Sequence, residues 1–190
     1  MRSLGGGLGA VAGQVLPIVE IASPASGRRC VVYQELVESH DMRNVGRRRG
    51  AWERVSGNIV GAFIVADNSG QAIVWPAGAS LIIDEPWQSR EDSLAPADNY
   101  DVREESEKIM RAGEIAYVLG TPHTFDALVA KLKEDCGFMP GELLQALLNR
   151  PDLRNLPCFF ADGKKFIVAN QTYEKLSGSL MPDVFNGQGL

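Results

Sequence analysis

The sequence predicts an α+β chain, mainly β: an OB-like small barrel or a curled antiparallel sheet with a helical insertion near residues 124–152. Three observations predict it. From Phe63 to Pro76, two apolar β-prone runs flank Asp67-Asn68-Ser69-Gly70. Asn and Gly tolerate positive φ, and Asp and Ser hydrogen-bond back to a turn backbone, so this stretch is a hairpin. A second strand signal, Ala112 to Gly120, is bounded at its C-terminal end by Gly120 and near its start by Gly113. Helical periodicity is strongest late, between Thr124 and Asn149.

Taken in order, residues 1–12 are Gly-rich and read as a flexible lead. Gln14 to Ala22 is a first strand candidate, which Pro17 weakens or places at an edge. Ser23 to Gly27 is a turn. Arg29 to Glu38 alternates as a strand, with Val31, Tyr33, Glu35 and Val37 on one face and Cys30, Val32, Gln34 and Leu36 on the other. A polar loop, His40 to Gly50, precedes a short strand, Ala51 to Ser56. After the hairpin comes an apolar run, Ser80 to Ile83. Pro86 to Tyr100 is loop by composition, and Val102 to Arg111 reads as helical.

Thr124 caps a helix running to Asp135, with Asp126 in its first turn and Leu128, Val129 and Leu132 on its apolar face. Pro140 to Asn149 is a second helix. Cys158 to Phe160 and Lys165 to Ala169 read as a hairpin closed by Asp162-Gly163. A short helix, Gln171 to Ser177, precedes a frayed tail. One domain, residues 13–177, with a tail at 178–190, accounts for the length.

The net charge is −5, from 19 basic and 24 acidic residues. Arg28 to Arg54 holds seven arginines and four acids, whereas Asp84 to Glu107 holds nine acids and two arginines. The acidic balance argues against a general nucleic-acid binder. Cys30, Cys136 and Cys158 form no C-x-x-C pair, which excludes a zinc ribbon or RING and points to reduced thiols. No run of about twenty apolar residues is present to span a membrane.

Chemistry-bearing residues are sparse. His40 and His123 are the only histidines, with Asp41 and Asp126 as the only neighbouring ligands, so no metal is expected. A Cys136–His123–Asp126 nucleophile set is disfavoured because the helix C-terminus opposes a thiolate. No P-loop, dinucleotide or nucleophile-elbow fingerprint occurs, so neither a cofactor nor a catalytic set is expected. Trp52 and Trp75 lie in strand contexts and read as packing residues. Trp87, after Glu85-Pro86, reads as exposed, and an exposed Trp can anchor a partner. Arg43, Arg47, Arg48 and Arg49 can meet anionic headgroups, each contributing about 1 kcal/mol near such a surface.

An ordered set of motifs runs along the chain. It consists of Ser23-Pro24-x-x-Gly27-Arg28-x-Cys30-x-x-Tyr33-x-x-x-Val37-Glu38, then Trp52, then Phe63-x-Val65-x-Asp67-x-Ser69-Gly70. Val74-x-Pro76-x-Gly78-Ala79 and Gly113-x-x-x-Tyr117-Val118-x-Gly120 complete it. From Gly13 to Gly120, and more weakly from Phe166 to Leu176, the set resembles the GIDE domain, also called BAM (beside-a-membrane), of mitochondrial ubiquitin ligases and their plastid, archaeal and bacterial relatives.

The resemblance implies a membrane-proximal module that binds a protein partner or an anionic membrane surface. It implies membrane association where transmembrane segments flank the domain in the full-length protein, and a cytoplasmic location otherwise. In the eukaryotic ligases ubiquitin transfer belongs to a separate RING, whose Cys/His ligands this chain lacks, so ligase activity does not carry over. The stretch Thr124 to Asp152 departs from the family pattern as an insertion. The competing expectation is an OB-type module binding single-stranded nucleic acid or a ligand, with Trp52, Trp75 and the arginines as its platform.

Overall fold

A computed structural model describes residues 2–4, 7–41, 53–94, 101–134 and 140–171. The chain is α+β and mainly β, with sheets that curl without closing into a barrel. The larger sheet is built from β1 (Arg2–Leu4), β2 (Leu8–Pro17), β7 (Phe63–Asp67), β8 (Gly70–Val74), β9 (Ser80–Ile82), β12 (Ile115–Gly120), β13 (Pro122–His123), β14 (Cys158–Phe159) and β15 (Ile167–Ala169). Its order is β13-β14-β8-β7-β2-β12-β15-β9, with β1 paired to β2. A second sheet runs β10 (Gln88–Leu94), β11 (Asp101–Met110), β5 (Val32–Asp41) and β6 (Glu53–Val60). A two-stranded ribbon joins β3 (Ile21–Ala22) to β4 (Arg29–Cys30).

The β7–β8 hairpin forms as the turn chemistry dictates. Asp67 Oδ1 accepts the Ser69 amide at 2.7 Å, the Ser69 hydroxyl at 2.7 Å and the Gly70 amide at 3.0 Å. Gly13 lets β2 lie tight against β7, because a Cβ there would sit 2.3 Å from the Ala66 carbonyl oxygen. Inside the curl lies an apolar cluster that includes Val15, Phe63, Val65, Val74, Val118, Phe159 and Val168. The roots of β5 and β11 enter it through Val32 and Met110.

On the other face of β7, β8 and β14 lie α1 (Phe125–Glu134) and α2 (Pro140–Leu148), separated from η-type turn Pro151–Leu153 by only a short link. Leu128, Leu132, Leu143 and Leu147 pack there against Ile64, Ile73 and Trp75. Thr124 caps α1 as expected, its hydroxyl accepting the Ala127 amide at 3.3 Å.

Several expectations are corrected. Val102 to Arg111 is not a helix. Val102 to Met110 lie in β11, whose ten residues pair with β5 while seven of them also pair with β10, and this sheet pairing overrides a weak helical pattern. Part of the expected loop Pro86–Tyr100 is β10. The expected lead at 1–12 contains β1 and the start of β2.

The expected hairpin across Asp162-Gly163 does not form. β14 pairs in parallel with β8, and β15 in parallel with β9. The segment between β14 and β15 therefore runs alongside the one between β8 and β9. At each end a backbone bond ties them, Trp75 amide to Phe159 oxygen and Ser80 amide to Phe166 oxygen, both 2.9 Å. The two-face alternation from Cys30 is also shifted. A bend at Val31 separates β4 from β5, so Cys30 joins Tyr33 in one cluster while Val31 and Val32 both enter the main core.

Candidate interaction site

The turn between β3 and β4 and the segment before β10 meet β11 in a charged clasp. In the turn, the Ser23 carbonyl accepts the Gly27 amide at 2.8 Å, and Gly27 takes a left-handed φ of 71° that a side chain would strain. This geometry aims Arg28 at two carboxylates. Its Nη2 donates to Glu107 at 2.6 Å and its Nη1 to Glu85 at 3.1 Å. The Ser23 hydroxyl donates to the other Glu107 oxygen and also accepts the Ser26 amide at 3.2 Å. Glu85 further accepts from Arg111 Nη2 at 2.7 Å and from the Ile109 amide at 3.0 Å.

Glu107 is only 2% exposed. Burial pushes its carboxyl up, but the donors from Ser23, Ser26 and Arg28 outweigh it and hold the group below the usual carboxylate range. Two carboxylates face two guanidiniums, so the clasp is charge-balanced and its acceptors are engaged. Beneath it, Ile21, Cys30, Tyr33 and Ile109 form a small apolar cluster. Burial, with Glu107 close by, pushes the Cys30 thiol up to about 12, so it is an inert core residue as expected. Burial pushes the Cys158 thiol up to about 12 as well.

Trp87 sits two residues beyond Glu85, at the entry to edge strand β10, and is 41% exposed. The Lys108 ammonium lies 5.0 Å from its ring centroid and also donates to the Ile83 carbonyl at 3.3 Å. The indole is thus held from one side by a fixed cation and open to solvent on another. The sequence reading of Trp87 as exposed and of Trp75 as packing matches this placement, Trp75 being 6% exposed. Arg43, Arg47, Arg48, Arg49, Trp52 and Cys136 lie outside the described residues. His40 falls within β5 rather than a loop.

His123 ends β13. Its ring stacks on Phe160 with centroids 4.3 Å apart, and its Nε2 lies 3.4 Å from Asp162 Oδ2. Among the described residues no group of three His, Cys, Asp or Glu side chains could hold a metal, and no described helix is long and apolar enough to cross a membrane. The clasp is not legible in the sequence because Arg28 and Glu107 are 79 positions apart. The only sequence signal for it is the Ser23-Pro24-x-x-Gly27-Arg28 turn itself. No family model, curated protein or solved structure matches the chain.

Proposed function

We propose that the chain is a non-catalytic interaction module of the membrane-proximal GIDE type, and that it meets a protein partner at the Trp87 end of the four-stranded sheet. The observation that carries this reading is Trp87, a large aromatic left 41% exposed with the Lys108 ammonium 5.0 Å from its ring centroid. Trp is among the residue types most enriched in binding hot spots. The motif order supports the membrane-proximal part of the reading. Ser23, Gly27 and Arg28 of that order build the clasp that fixes Glu85 two residues before Trp87.

A photo-cross-linking residue placed at position 87 tests the proposal in cells. The expected result is one dominant cross-linked partner, lost when the same probe is moved to position 148, where Leu148 is comparably exposed at 40%. Equal or absent cross-linking at both positions contradicts the reading. Flotation with phosphatidylserine vesicles separates the membrane from the protein: co-flotation abolished by Trp87→Ala would assign the contact to lipid instead.

A further inference from the structure

We propose that His123 and Asp162 form a proton-dependent latch between the β13–α1 junction and the segment from Phe160 to Phe166. His123 closes β13 opposite Cys158 of β14, and it stands directly before Thr124, the cap of α1. Asp162 is held from the other side. Its Oδ1 accepts the Lys164 amide at 3.0 Å across Gly163, whose φ of 83° is left-handed. Its Oδ2 faces His123 Nε2 at 3.4 Å. The two atoms form no hydrogen bond, and among the described residues the buried Nε2 has no partner. The ring is instead stacked on Phe160, with centroids 4.3 Å apart and planes 23° apart.

A buried polar atom left unpaired beside a carboxylate is costly, and protonation resolves the cost. A charged imidazole donates from both nitrogens, so Nε2–H to Oδ2 becomes a charge-assisted bond. A small turn of the ring brings the N–H into line. The neutral ring gains less from that turn and keeps its stack on Phe160. The side chains are 22% and 16% exposed, which gives protons a route to the pair. The titratable neighbours on the packed elements are Lys164, Asp126 in the first turn of α1, and Cys158 on β14, a thiol that stays protonated. Lys164 Nζ lies 3.8 Å from the same Oδ2, but its side chain is 63% exposed and well screened. Burial pushes the Asp162 carboxyl up, yet nearby donors, led by the Lys164 amide, outweigh it and hold the group below the usual carboxylate range. Asp162 therefore stays charged while His123 titrates. The bond forms as pH falls and is lost as pH rises.

Hydrogen exchange and NMR of the intact chain test this. A latched Asp162 is fixed through both oxygens, so its bond to the Lys164 amide opens less often. Between about pH 8 and about pH 5, the span in which imidazoles change charge, the protection factor of that amide is expected to rise about fivefold or more. The His123 ring and Asp162 carboxyl resonances are expected to shift with one midpoint. Asp162→Asn and His123→Gln are each expected to abolish the rise while β7 stays protected. A flat Lys164 protection factor in the unaltered chain overturns the proposal. So do separate midpoints for the two side chains, a reading that needs no substitution. A rise that survives Asp162→Asn overturns it too, and would assign the titration to another group.

Discussion

The interior of the curled sheet and the clasp at the foot of the four-stranded sheet are both buried, but they are held by different physics. Inside the curl, contacts are apolar, numerous and individually weak, so the region depends on shape. At the clasp, one carboxylate that is 2% exposed depends on a few donors from a single turn, Ser23 to Arg28. The first region tolerates changes of charge state in solution and not of volume. The second tolerates small changes of volume and not the loss of one partner. The difference also divides labour: the curl makes the body, and the clasp sets the orientation of the segment leading to Trp87.

The largest effect should come from breaking shape. Gly13→Ala drives a Cβ to within 2.3 Å of the Ala66 oxygen. The backbone must move, and urea unfolding should show a loss of about 3 kcal/mol or more. Phe159→Ala, at a residue with no exposure, should cost about 3–5 kcal/mol in the same measurement.

Breaking charge comes next. Arg28→Ala leaves Glu107 buried without its guanidinium. The Ser23 and Ser26 donors remain and Arg28 itself is 27% exposed, so the cost should be about 2 kcal/mol, below the value for a fully buried pair. Glu107→Gln, which keeps shape and one acceptor, should cost less.

Titration sharpens the same contrast. The Glu107 carboxyl is held below its unfolded value of about 4.3. Its contribution is therefore complete above about pH 4.3 and is lost as pH falls through the folded value. Arg28→Ala should flatten that acid limb of the stability curve. The Cys30 and Cys158 thiols are raised to about 12 from about 8.5 in the unfolded chain. Their neutral forms favour the fold below about pH 8.5, and that stability declines as pH rises toward 12. A thiol reagent at pH 8 should leave both unmodified in the native chain. The smallest stability effect should be Trp87→Ala, within about 0.5–1 kcal/mol, since the indole is open to solvent.

Local chemistry decided what was legible in the sequence. The Asp67 to Gly70 turn and the Thr124 cap are written in consecutive residues, and both form. Trp87 was legible because it follows Glu85-Pro86 in a polar stretch. What failed was non-local. Glu104-Glu105-Ser106-Glu107 has no apolar strand pattern, and it is a strand because β5 and β10 flank it. Asp162-Gly163 is a good hairpin turn, but the flanking strands pair with β8 and β9, more than seventy residues back. The bend at Val31 shifted the face of Cys30 for the same reason: backbone bonds to Met110 and Gly61 fix it, and neither is near in sequence.

The most direct test of the central claim compares two substitutions in one assay, partner cross-linking per folded molecule from a probe at Gln88, beside Trp87. Trp87→Ala should keep the melting temperature and lose the cross-link, because it removes the contact and leaves the clasp intact. Arg28→Ala should lower the melting temperature and weaken the cross-link only in part. A Trp87→Ala chain that cross-links as strongly as the unaltered protein would contradict the account.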